Sequence, residues 1–93
     1  MIDGQYPMAM MQHAQGLFAT ADKIYIADTY NNSLRVYDRK SGMLSTVALK
    51  GGKLNEPGDV LVVGGIAYVA DTNDNAVRTV DLANGKVRTL KVK

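Results

Sequence analysis

The chain has 93 residues, eleven Lys and Arg against nine Asp and Glu, a formal net charge of +2 and no cysteine. That length supports one small domain at most, the missing cysteines exclude disulfides and thiolate metal sites, and so small a charge gives no argument for nucleic acid by itself. A chain this short buries only a little over ~60% of its unfolded surface, so without covalent staples it leans on repetition or on partners.

Residues 1–10 read as an N-terminal extension. The run from Met1 to Met11 has no basic segment and is too short and broken to cross a membrane, which predicts a cytoplasmic protein with no membrane contact. Strands are expected next, at Leu17–Thr20, Lys23–Ala27, Ser33–Tyr37 and Met43–Leu49. Leu34 and Val36 alternate with Arg35 and Tyr37, the period of two that marks a half-buried strand. Ala21-Asp22 and Arg39–Gly42 are the turns between them.

The same order then returns. Strands are expected at Val60–Val63, Ile66–Ala70, Ala76–Val80 and Lys86–Val92, separated by turns at Gly64-Gly65 and Leu82–Gly85. Gly-Gly and Asn84-Gly85 are strong hairpin signals, because tight hairpin turns require positive φ. No segment predicts a helix.

The two halves are copies of one pattern. Residues 11–50 lie over 54–93 without a gap, and ten pairs are identical: Tyr25/Tyr68, Ala27/Ala70, Asp28/Asp71, Thr29/Thr72, Asn32/Asn75, Arg35/Arg78, Asp38/Asp81, Gly42/Gly85, Thr46/Thr89 and Lys50/Lys93. A repeat of this period is a unit that cannot bury its own apolar face and stacks on neighbours. Four strands per repeat of this length predict the blade of a β-propeller, in an all-β chain of two four-stranded antiparallel blades at 11–53 and 54–93.

Tyr-[Ile/Val]-Ala-Asp-Thr-x-x-Asn-x-[Leu/Val]-Arg, at 25–35 and again at 68–78, resembles the core of the NHL repeat, and Leu54-Asn55-Glu56-Pro57-Gly58 resembles the approach to an NHL blade. The first copy departs from that approach at Ala14 and Gln15. The resemblance implies six-bladed propellers and is nearest to the late blades of thioredoxin–NHL fusion proteins, of which this chain would be a fragment without the redox part. It also implies two kinds of partner, other proteins or RNA.

Candidate chemistry is sparse, and the chain reads as a non-catalytic interaction or scaffold module without cofactor or metal. Asp28 and Asp71 are expected to cap their turns through backbone N–H groups. Asp71-Thr72-Asn73-Asp74-Asn75 opens like a calcium loop, but Ala76 and Leu82 stand where that loop needs Gly and Glu. His13 is the only histidine, too few for a zinc site or for the histidine-dependent lyases among related propellers. The expected interaction loops are Asp28, Thr29, Tyr30, Asn31 and Asn32, with Asp71, Thr72, Asn73, Asp74 and Asn75. Tyr25, Arg35, Asp38, Tyr68, Arg78 and Asp81 are expected to be structural, the arginines pairing with repeat aspartates.

Two basic runs, Arg39–Lys53 and Leu82–Lys93, contain no acid. Lys50, Lys91 and Lys93 are expected on the outer rim, as charge that protects an edge strand. Two open apolar faces are expected, lined by Ile24, Tyr25, Ile26, Tyr68 and Val69. Three copies joined head to tail would bury both, giving a homotrimeric ring of six blades.

Overall fold

The computed structural model describes residues 16–90. It is all-β, with eight strands: β1 (Gly16–Ala19), β2 (Lys23–Asp28), β3 (Ser33–Asp38), β4 (Met43–Thr46), β5 (Pro57–Val63), β6 (Ile66–Asp71), β7 (Ala76–Asp81) and β8 (Val87–Leu90). They form two four-stranded antiparallel sheets, each in plain sequence order, β1-β2-β3-β4 and β5-β6-β7-β8. Residues 1–15, with the expected boundary at 10/11 and His13 among them, lie outside the described residues.

Cross-strand rows follow from the period of two. In the first sheet Phe18, Tyr25, Val36 and Ser45 stand in one row, and Leu17, Ile26, Arg35 and Thr46 in the next, on the opposite face. In the second sheet the matching rows are Leu61, Tyr68, Thr79, Arg88 and Val60, Val69, Arg78, Thr89. Copy and copy therefore share one register.

The sheets pack front to back. Tyr25, Ala27 and Leu34 of the first sheet join Leu54, Val60, Ala67, Val69, Val80 and Val87 in one core. The first sheet thus contributes its Tyr25 face, and the second sheet contributes the face opposite Tyr68. Leu54 seals the joint from the linker, where it is 2% exposed. A smaller cluster, Ile26 and Leu44 with Ile24 and Tyr37 beside them, lies on the far face of the first sheet.

Several expectations are corrected. β4 ends at Thr46 rather than Leu49. Val47 still donates to the Leu34 carbonyl, but the chain then leaves to form the linker, and Lys50 N and O bond Gly85 O and Val87 N, both at 2.8 Å. Lys50 is thereby tied to the entry of β8 in a parallel bridge with Lys86, and does not stand on a free outer rim. β8 is described to Leu90; Lys91 and Lys93 lie outside the described residues. β5 begins at Pro57 and carries a bulge between Pro57 and Asp59. Thr72–Asp74 form a single 3-10 turn that no sequence signal announced. Asp28 and Asp71 are the last residues of their strands, paired with Ser33 and Ala76, not loop residues.

The third turn of the second copy is built on Gly85. Its φ is +80°, and a Cβ there would lie 1.9 Å from the Ala48 carbonyl oxygen. Only glycine allows both the turn and the passage of the linker against it.

Candidate interaction site

The repeat loops hold the linker between the sheets. From the first sheet, the Thr29 hydroxyl donates to the Pro57 carbonyl at 2.7 Å, and Asn32 Oδ1 accepts from Glu56 N at 2.8 Å. From the second, Asp71 Oδ1 accepts from Asn55 N, and Asn55 Nδ2 donates to Asp74 Oδ1 at 3.2 Å. Asn73 N adds a bond to Asn55 O at 3.3 Å. The segment 55–57 is thereby gripped on both flanks, mostly through backbone atoms.

Asn32 suits this task for two reasons. Its φ of +53° is left-handed, which Asn tolerates better than most residues, and its short amide reaches a neighbouring backbone. Asn75 has the same φ of +53°. At Asn32 the residue thus serves the left-handed backbone and bonds the linker at once, while Asn75 shares the backbone conformation.

The two aspartates differ. Asp28 accepts from Asn31 N at 3.3 Å and from Asn31 Nδ2 at 2.8 Å, so it caps its turn, and its Oδ2 lies 3.6 Å from Arg35 Nη1. Asp71 does not cap its own turn. Its Oδ2 takes Arg78 Nε at 2.9 Å, while Arg78 Nη2 reaches Asp74 at 2.7 Å. The hydrogen bond Arg78 donates to Asp71, then the one it donates to Asp74, holds the guanidinium pKa above its ordinary value. Asp38 binds Lys40 N and Ser41 N at 2.9 and 3.1 Å; the Ser41 bond first, then Lys40, pulls its pKa below the usual 3.8. Asp81 plays the matching part, accepting from Ala83 N.

The expected pair of open faces is reduced to one and a fraction. Tyr25, Ile26 and Val69 are buried within the chain, at 9%, 0% and 0%. On the far face of the first sheet Leu44 is closed as well, and Leu17 is open at 42%. The Tyr68 face of the second sheet is the larger opening: Leu61 is 47% exposed, Val63 62% and Leu90 43%, with Ile66, Tyr68, Ala70 and Val77 half-buried between them. At one end of that face a cleft of about 570 Å³ is lined by Ala70, Thr72, Asn75, Val77 and Leu90.

Sequence reasoning missed a second feature. The two basic runs, well separated along the chain, meet where Lys50 bridges Lys86, with Lys53 and Arg88 bordering one shallow hollow beside Arg78. No local signal announces that contact, because it depends on where the linker runs. Among the described residues no group of three His, Asp or Glu side chains is placed to hold a metal ion, and no helix is long and apolar enough to cross a membrane.

No protein-family model matches the chain, and no curated protein matches it in sequence.

Proposed function

We propose that the chain is a pair of NHL-type propeller blades with a non-catalytic interaction and scaffold role, acting through the open face of its second sheet. One observation carries this. The face that the first sheet buries against the second, Phe18, Tyr25, Ala27, Leu34 and Val47, recurs on the second sheet as Leu61, Tyr68, Ala70, Val77 and Leu90, and there nothing in the described chain covers it. A surface already suited to stacking a β-sheet is a docking surface for another.

The simplest occupant is the first sheet of a second copy. Its far face presents Leu17, the counterpart of Val60, which the joint within the chain buries to 4%. Three chains joined this way give six blades, the number that the NHL resemblance implies, and a closed ring leaves no interface unsatisfied. Burying Leu17, Leu61, Val63 and Leu90 from their half-exposed state is worth about 1 kcal/mol each, some 4 kcal/mol per joint. Association costs about 4–15 kcal/mol in lost freedom. One joint is therefore weak, and assembly depends on closure and concentration. Ile26 and Leu44, closed in the single chain, add nothing.

The test is light scattering coupled to size exclusion over a wide concentration range, with Leu61→Asp as the control. Association that Leu61→Asp abolishes supports the proposal; association that is indifferent to it contradicts the face assigned.

A second reading has its own observation. Lys53 and Arg88, from two separate runs, border one hollow with Arg78 and Asp74, next to the backbone bridge between Lys50 and Lys86, and this gathering of basic residues favours a nucleic-acid face. RNA binding that weakens steeply with salt and is lost on Lys50→Glu/Lys86→Glu would support it. Binding without salt dependence would remove it.

A further inference from the structure

The turn that receives the linker also carries a reactive dipeptide. Of the six asparagines in the sequence, only Asn84 is followed by glycine. An asparagine amide is labile there, because a residue without a side chain leaves its backbone nitrogen free to approach the amide carbon. Asn84 is exposed and Gly85 is buried. In the folded turn the Gly85 N–H donates to the Asp81 carbonyl at 2.6 Å, and Asn84 Oδ1 accepts from Lys86 N at 2.8 Å. Both reacting groups are engaged, so the closed turn guards the amide. The first copy makes the corresponding turn without an amide. Ser41 stands in place of Asn84, and its hydroxyl accepts from Met43 N at 3.2 Å as Asn84 accepts from Lys86 N.

We propose that Asn84 is a site of spontaneous modification, deamidating and isomerising when its turn opens, and that the isomerised product loosens the joint between the two sheets. The Gly85 nitrogen loses its proton and bonds to Asn84 Cγ. The Cγ–Nδ2 bond breaks, and the amide nitrogen takes up a proton and leaves as ammonia. The cyclic imide that remains takes up one water. Cleavage of its new bond, between Cγ and the Gly85 nitrogen, gives aspartate. Cleavage of the original peptide bond gives isoaspartate, whose main chain runs through Cγ. Nothing is oxidised or reduced.

The two products differ in their effect. Aspartate keeps the backbone, and a carboxylate oxygen can still accept from Lys86 N. Isoaspartate adds one carbon to the main chain ahead of Gly85, where there is no room for it. The turn is closed by Asp81 N donating to Lys86 O at 3.0 Å, and even a Cβ on Gly85 would run into the Ala48 carbonyl oxygen. Gly85 O accepts from Lys50 N, so a displaced Gly85 lets go of the linker. The inference concerns the joint within the chain and does not depend on what docks on the open face.

The test is peptide mapping by mass spectrometry of the full chain, aged at mildly alkaline pH both folded and held unfolded in guanidinium chloride. Conversion should fall on Asn84, give both products, and run at least about tenfold faster in the unfolded chain, where the two guarding hydrogen bonds are gone. The isoaspartate fraction, separated from the aged folded chain, should have a lower urea midpoint than fresh protein. Asn84→Asp should stay near the parent, which separates the longer main chain from the added charge. Asn84→Ser, the residue of the first copy, should resist conversion and keep the parent's midpoint. No conversion at Asn84 in the unfolded chain would overturn the site. Equal rates in the folded and unfolded chain would overturn the guard, and an isoaspartate fraction as stable as fresh protein would overturn the effect on the joint.

Discussion

Asp71 and Arg78 meet across the β6–β7 turn with Nε 2.9 Å from Oδ2, the Asp71 side chain wholly buried and the Arg78 side chain 21% exposed. The same carboxylate accepts the Asn55 N–H, so one side chain ties the second sheet to the linker. Asp71→Ala takes one of two carboxylate partners from Arg78, which keeps Asp74 at 2.7 Å, and orphans the Asn55 N–H; it is expected to cost about 2–3 kcal/mol. Asp28→Ala should cost less, about 1–2 kcal/mol, because its Arg35 contact is 3.6 Å and its other bonds lie within one turn. Urea denaturation of both variants checks the order; equal losses would contradict the linker role of Asp71.

The two repeat asparagines should separate conformational from hydrogen-bonding contributions. Asn32→Gly keeps the left-handed backbone but loses the bond to Glu56 N, at a cost of about 1 kcal/mol. Asn32→Ala adds backbone strain and should cost about 2 kcal/mol. Asn75→Gly should leave the stability of the single chain near that of the parent. Thermal melts at a concentration where the chain is single read all three.

Gly85 and Gly42 occupy the same turn in the two copies, yet differ in surroundings. A Cβ at Gly85 meets the Ala48 carbonyl oxygen, whereas at Gly42 the nearest atom is the Tyr37 hydroxyl at 4.0 Å. Gly85→Ala should cost about 3 kcal/mol or more and Gly42→Ala about 1 kcal/mol. Equal melting temperatures for the two variants would show that the linker does not pass against the second turn.

Asp38 gives a pH signature. Its folded pKa lies below the ordinary 3.8, first through the Ser41 N–H and then Lys40 N–H. Its contribution is therefore fully present above the ordinary value and is lost as pH falls through the lowered one. Asp38→Asn should flatten the acid limb of the stability profile, which urea midpoints from pH 7 down to about 2 would reveal. An acid limb identical to the parent's would contradict the cap.

The hairpins were legible because they are local. Alternation at Leu34-Arg35-Val36-Tyr37, the turn residues Gly64-Gly65 and Asn84-Gly85, and the gapless repeat gave the strand order and most strand bounds within a residue or two, but β4 ends three residues early and β5 begins three residues early. What was not legible depends on the joint between the copies. β4 stops at Thr46 because the linker needs Ala48–Lys50 to reach Gly85 and Val87. Asp28 and Asp71 are identical in sequence, and only the presence of Asn55 beside one of them makes it a linker anchor rather than a turn cap. The loops of the candidate site were found as a pair, but their division into a filled grip at Thr29 and Asn32 and an open one at Thr72 and Asn75 is a property of the stack.

The central claim is that the open face of the second sheet takes the first sheet of another copy. The mass of the chain in solution, measured by light scattering from low micromolar upwards, tests it most directly. The account predicts a concentration-dependent rise to a species of three chain masses, abolished by Leu61→Asp. A monodisperse single chain throughout, with Leu61, Val63 and Leu90 as exposed as they are here, would contradict it.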